Sequence, residues 1–322
     1  DEFMILLVFE KEQRWKKESE SDITLYKNCA LVLLDPLDNE LHQLTLDVKA
    51  LRFYTDFMDE IFLISQNKKQ LVSVFDKRLY LSEVGEDDFK AFIEPVRDSI
   101  GGQLFVSSYN PDYPAFEYYT VNLEDSSIHT LRYIVDKPLL AMFRSEFKYL
   151  DNRGKLEAFR YEVQHGVDKE IVAGFMSGFP NSLYYESLYA PLFVHNDTIT
   201  ILDHYTDHLY KFDDSQNLLD SVAINYHKVD KKTQWDKKVI QDEESGRLYV
   251  VFKRGGWYLL GELNNSTGEI VKSFKIHYRY SENIRIKNGW AYYVYRPFES
   301  SQKKFLYKEE IWNNAEIPVS GM

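Results

Sequence analysis

The sequence holds a single cysteine, Cys29, among 322 residues. No intramolecular disulfide can form, and a zinc site built from cysteines is excluded. Glycine is scarce, at 14 residues. Many turns must therefore be made by Asn, Asp and Ser, which bond their own backbone or tolerate positive φ. Long apolar runs are missing too. The run Phe3-Met4-Ile5-Leu6-Leu7-Val8-Phe9 is far shorter than the roughly 20 residues of a membrane-spanning helix. It follows Asp1 and Glu2 instead of basic residues, so it does not read as a secretory signal. Cys29 has no apolar segment before it and does not read as a lipid-attachment site.

Positive charge is in deficit. Lys and Arg number 39 against 51 Asp and Glu, a net charge of -12. Such a surface repels phosphate backbones, so nucleic acid is not an expected partner. The one lysine cluster, Lys228, Lys231, Lys232, Lys237 and Lys238, is interrupted by Asp230 and Asp236 and reads as a solvated loop. Catalytic fingerprints are also lacking. There is no His-Glu-x-x-His and no dinucleotide motif. Gly174-Phe175-Met176-Ser177-Gly178 is not Gly-x-Ser-x-Gly, so a serine-hydrolase elbow is not supported. Catalytic residues stay unassigned, and no cofactor is implied.

Aromatic side chains are plentiful: 24 Tyr, 21 Phe and 5 Trp. These residues favour strands. From Ile23 onward, short apolar runs and period-2 alternation recur between polar turns. The clearest stretch is Pro191–Lys228. It predicts strands over Leu192–Val194, Thr198–Asp203, Leu209–Asp213 and Leu218–Asn225. Residues 1–22 read as a separate arm and 313–322 as a tail, flanking one domain over 23–312.

One hairpin form occurs four times. An apolar residue and an Asp or Asn precede a polar turn, and a second apolar residue follows seven positions after the first. The copies run from Leu34-Asp35 to Leu41, Val121-Asn122 to Ile128, Phe212-Asp213 to Leu219, and Leu263-Asn264 to Ile270. The spacings are 87 (34 to 121), 91 (121 to 212) and 51 (212 to 263). These approximate two, two and one units of the 40–50 residues that make a propeller blade. The expected fold is all-β: a six-bladed β-propeller with blades over 49–84, 91–134, 138–177, 190–228, 236–280 and 283–312. The last is short of strands, so residues 23–47 are expected to complete it and close the ring, removing an exposed sheet edge. The 138–177 blade rests on a hairpin of Leu156–Val163 and Glu170–Val172 with Gly166 in its turn.

The densest polar cluster is His195, Asn196, Asp197, Asp203, His204, Asp207 and His208. Imidazoles and carboxylates suit a divalent metal. However, strand alternation puts Asp203 and His204 on opposite faces, and the remaining polar residues fit turns, so no metal site is expected. Asp35, Asn122, Asp213 and Asn264 read as turn caps. Tyr184, Tyr185 and Tyr189 lie in a linker between blades. With His204 and His208 they are the ligand-binding candidates, because aromatics beside a concave opening suit a sugar or a peptide.

Two stretches carry a family resemblance. Phe193-Val194-His195-Asn196-Asp197-Thr198-Ile199 through Tyr210-Lys211-Phe212, and Asn288-Gly289-Trp290-Ala291-Tyr292-Tyr293-Val294-Tyr295-Arg296-Pro297, resemble the six-bladed β-propeller proteins abundant in Bacteroides-type bacteria. The resemblance implies a cell-envelope protein of the periplasm or outer-membrane surface, often a lipoprotein, with its lipid anchor upstream of residue 1. It assigns no catalytic residue. Two function classes follow. One is a binding or scaffold module for a glycan or an envelope protein. The other is a hydrolase or lyase with a polar site in the central channel.

Overall fold

The computed structural model describes residues 3–15, 23–228, 234–298, 300 and 304–311. Its strands form six antiparallel sheets among these residues. Sheet I orders Met4–Val8, Ala30–Leu34 and Glu40–Thr45. Sheet II runs Lys11–Trp15, Ile23–Lys27, Ala50–Thr55, Ile61–Ser65, Lys69–Phe75 and Arg78–Val84. Sheet III is Val96–Ile100, Gln103–Ser107, Ala115–Asn122 and Ile128–Val135. Sheet IV is Leu192–His195, Thr198–Asp203, His208–Phe212 and Leu218–Ala223. Sheet V is Gln234–Gln241, Leu248–Arg254, Trp257–Leu263 and Ile270–Lys275. Sheet VI is Glu282–Lys287, Trp290–Tyr295 and Phe305–Glu310. Sheets III, IV and V are four-stranded meanders in chain order, the form of a propeller blade.

The chain divides into two compact units. One holds Asp1–Asn110, Phe116–Arg132 and Glu146–Tyr185; the other holds Pro111–Ala115, Tyr133–Ser145 and Glu186–Met322. In the first, sheets I and II bury Leu31, Leu33, Leu63, Val72 and Leu79 between them, with the Cys29 thiol. In the second, sheet V is covered on both faces. Leu248, Val250 and Phe252 pack towards Leu202 and Leu209 of sheet IV. Tyr249 and Val251 pack towards Ile284, Ile286 and Tyr293 of sheet VI. A strand buried on both sides has no polar face, which explains why Leu248-Tyr249-Val250-Val251-Phe252 is an unbroken apolar run.

The repeated hairpin turns are capped as the sequence predicts. Asp35 Oδ1 accepts from Leu37 N at 2.9 Å and Asn39 N at 2.8 Å. Asn122 Oδ1 accepts from Glu124 N, Asp213 Oδ1 from Asn217 N, and Asn264 Oδ1 from Ser266 N and Thr267 N. A register irregularity sits at Leu33/Leu34, at Lys211/Phe212 and at Glu262/Leu263, the same position in three copies. Asp56, accepting from Met58 N and Glu60 N, is a further copy of the turn.

Three expectations are corrected. Of the expected arm over 1–22, the described residues 3–15 are not separate, because Met4–Val8 pairs with Ala30–Leu34 and Lys11–Trp15 pairs with Ile23–Lys27. Strands from 23–47 do not complete the C-terminal sheet. They pair within sheets I and II, and among the described residues sheet VI contains none of them. The N-terminal apolar run supplies the missing partner: it gives residues 30–45 a sheet of their own.

The third correction concerns 138–177, where helices stand in place of the expected blade, while the fold as a whole is all-β, built on the six antiparallel sheets. Helices span Lys137–Ser145, Asn152–His165 and Lys169–Met176. Asp151 caps the second by accepting from Gly154 N at 2.7 Å, Gly166 ends it at φ 70, and Asp168 caps the third through Glu170 N. These are ordinary helix signals. They were masked because Leu156, Phe159 and Val163 are exposed while only Ala158 of that helix is buried, so apolar spacing does not mark its packed face. The expected tail, 313–322, lies outside the described residues.

Candidate functional site: a polar cleft beside sheets IV and V

A cleft of about 390 Å³ opens at the edge of the core shared by sheets IV and V. Sheet IV builds one wall from a single cross-strand row. Phe193 pairs with Thr200 and Thr200 with Lys211; Asp220, paired with Lys211 on the next strand, is not on the lining. Directly opposed residues share a face of the sheet. Two residues along, Leu202 opposes Leu209 on the same face and enters the core. The row thus changes from apolar to polar where the sheets part. His195, paired with Thr198, extends the polar end.

Sheet V supplies Gln241, Leu248, Gly246 and Asn265. The Gln241 amide donates to the Val194 carbonyl at 3.2 Å and links the two sheets. Gly246, at φ +66, lies directly under the His195 ring, and a Cβ there would overlap the imidazole. Asn196 Nδ2 donates to His195 Nε2 at 2.8 Å, which leaves Nδ1 carrying the proton. Asn265 Oδ1 is buried without a hydrogen-bond partner. An unpaired buried acceptor costs about 1–3 kcal/mol; the oxygen is shielded from solvent, and a turn of the amide towards the cleft lets a ligand hydroxyl remove that cost. Among the described residues, Lys211 is the single charged one on the lining.

A second polar cluster lies inside the same unit. His204 is buried, with Nδ1 2.9 Å from the Tyr189 carbonyl and Nε2 2.8 Å from the Tyr226 hydroxyl. A carbonyl only accepts, so Nδ1 donates to it and Nε2 accepts from Tyr226. In the neutral ring Nδ1 donates and Nε2 accepts, and burial lowers the His204 pKa to about 4, which keeps that form. The ring stacks on Tyr189 and lies 4.3 Å from the Trp235 ring and 5.2 Å from that of His227. His227 Nε2 sits 2.9 Å from Asp207 Oδ1, and Lys228 also pairs with Asp207. The Lys228 ammonium and the His227 bond hold the Asp207 carboxyl below its ordinary pKa, while burial lowers that of His227.

Of the sequence candidates, Tyr189 and His204 are brought together. Their polar atoms are used internally: the Tyr189 hydroxyl accepts from Val239 N at 2.8 Å. His208 is half-buried, with Nδ1 2.6 Å from the Thr206 carbonyl. Tyr184 and Tyr185 belong to the other unit. Tyr184 is 76% exposed, and Tyr185 packs edge-on to Phe179. The wider cluster is dispersed as well. Asp203 caps its own turn through Tyr205 N and Thr206 N. Among the described residues, no group of three or more His, Cys, Asp or Glu is placed to hold a metal ion. Sequence reasoning missed Phe193, Thr200, Lys211, Gln241 and Asn265. Its available signal was Thr198 and Thr200 alternating with buried Ile199 and Ile201, a polar face in a strand whose other face is core.

Comparison with known proteins places these observations in context. No family model matches the chain, and no curated protein matches it. Among solved structures it is similar to a luciferin-regenerating enzyme, at 10% identity and TM-score 0.40, covering 95% of each chain. It is also similar to a protein of unknown function from Bacteroides caccae, at 9% identity and TM-score 0.33, covering 87% of this chain and 86% of that one. A third is BamB from Moraxella catarrhalis, at 8% identity and TM-score 0.30, covering 91% and 80%. At these values the likenesses assign neither family nor activity. No helix among the described residues is long and apolar enough to cross a membrane.

Proposed function

We propose that this chain is a binding module of β-propeller type, its six sheets serving as blades of one domain, and that its ligand is a small hydroxyl-bearing molecule of the glycan class held in the Phe193–Asn265 cleft. The observation that carries the reading is the buried, partnerless Asn265 Oδ1 in a cleft walled by Thr200, Lys211 and the aromatic ring of Phe193. A sugar presents hydroxyl donors and an apolar ring face, which are the complements of these groups. The volume lies within the roughly 300–1,000 Å³ of small-molecule sites.

The cell-envelope setting implied by the family resemblance belongs to the same proposal, and fractionation of the native host tests it. The binding reading is tested by thermal-shift screening against a glycan panel, with Asn265→Leu as control. A glycan that stabilises the parent chain and not the variant supports the cleft. A panel without any stabilising glycan overturns it.

A further inference from the structure

We propose that the cleft is built for an acidic sugar, a ring bearing both hydroxyls and a carboxylate, with the carboxylate placed on Lys211. This rests on the reading of the cleft as a ligand site and goes further by fixing the ligand's charge. On a chain of net charge -12, the cleft lining contains no Asp or Glu among the described residues, and the one charge there is positive. The Lys211 side chain is only 17% exposed, and its ammonium meets Asp220 Oδ2 at 3.7 Å, beyond hydrogen-bond reach, while Asp220 itself is 50% exposed. A lysine ammonium has three donors and no acceptor. Taken largely out of water, it needs anionic or carbonyl oxygens at about 2.8 Å. The structure provides it with a counter-ion that is half exposed and beyond hydrogen-bond reach, and places the lysine on the cleft lining.

The remaining groups specify the rest of the ligand. Thr200, the cross-strand partner of Lys211, is buried and adds a hydroxyl that both donates and accepts. Asn265 Oδ1 requires a donor, which a carboxylate lacks and a sugar hydroxyl supplies. Phe193, opposite Thr200 on the other side, offers a surface for the C–H face of a ring. A bare anion satisfies Lys211 alone, and a neutral sugar satisfies Asn265 and Phe193 but not Lys211. A hydroxylated ring that bears an anionic group meets all of them, and a uronate is the smallest such sugar.

The test is isothermal titration of the full chain with D-glucuronate and D-galacturonate, their neutral parents D-glucose and D-galactose, and acetate. The expected result is that at least one uronate binds ten-fold or more tighter than both its neutral parent and acetate. Lys211→Met is expected to remove that advantage, and Asp220→Asn, a change at an exposed position, to tighten uronate binding several-fold by removing the competing carboxylate. Thermal melts of both variants establish that they are folded, and the Asp220→Asn arm keeps the test decisive if Lys211→Met is not. Neutral sugars binding as tightly as uronates, untouched by Lys211→Met, overturn the acidic-sugar proposal while leaving the cleft as a glycan site. Acetate binding as tightly as the uronates also overturns it. Binding by none of the five probes overturns both.

Discussion

His204 ties the stability of its unit to pH in a defined window. The neutral ring donates to the Tyr189 carbonyl and accepts from Tyr226. Protonation of Nε2 replaces an acceptor with a second donor and forces the Tyr226 hydroxyl to turn away. Burial, the larger cause, puts the folded-state pKa at about 4, against roughly 6.5 in an unfolded chain. Between those values the unfolded chain takes up a proton that the folded chain refuses, so stability falls as pH falls. The full contribution, present above pH 6.5, is about 3 kcal/mol, and about 2 kcal/mol of it is lost by pH 5. Urea unfolding at pH 7.5 and pH 5.0, followed by near-UV circular dichroism, measures the loss. His227, also depressed by burial, adds in the same direction, so the informative quantity is the difference between the parent and His204→Gln. The variant is expected to be less stable at pH 7.5 and to lose about 2 kcal/mol less than the parent on acidification. Equal losses in the two proteins refute the assignment of a neutral, doubly bonded His204.

Three further outcomes follow from particular contacts. Asp242 is buried and accepts from Asn288 N at 2.9 Å, Gly289 N at 3.0 Å and Ser245 Oγ at 2.9 Å, joining sheet V to the first hairpin of sheet VI. Asp242→Ala strands those donors and is expected to cost on the order of 3 kcal/mol in denaturant unfolding, with Asp242→Asn costing about half. Gly246→Ala places a side chain at positive φ and against the His195 imidazole. A cost of about 1–2 kcal/mol is expected, together with weakened binding of any glycan that protects the parent. Asp151→Ala removes the cap of the Asn152–His165 helix, and a stability loss of about 1 kcal/mol with fraying of that helix is expected by hydrogen exchange.

The strands of 190–228 were legible because each signal there is local. Asn196-Asp197 and Asp213 to Asn217 form turns whose caps sit in the same few residues that make them. The same holds for the other capped hairpins. Strand partners far apart in sequence were not legible. Met4–Val8 pairs with Ala30–Leu34 across more than twenty residues that form another hairpin, so the N-terminal run read as an arm and residues 23–47 as spare strands. The helices at 137–176 carried clear caps, but Leu156 and Phe159 point to solvent, and the apolar pattern that normally confirms a helix was absent. The cleft was legible least of all. Phe193, Lys211 and Asn265 meet only when two sheets face each other, and that juxtaposition has no trace in any single window of sequence. Tyr189 reads as a ligand candidate from its place in a linker between blades, and His204 from its polar cluster. Their hydrogen bonds are instead satisfied by the protein itself.

The central claim, that ligand recognition lies where sheets IV and V part, is tested most directly by difference electron density from crystals soaked with a uronate or glycan that binds in solution. The expected density stands against Phe193, with an oxygen within hydrogen-bond distance of Asn265 Oδ1 and, for an acidic sugar, a carboxylate on Lys211 Nζ. Density at full occupancy elsewhere on the chain, with the cleft holding only water, contradicts the account.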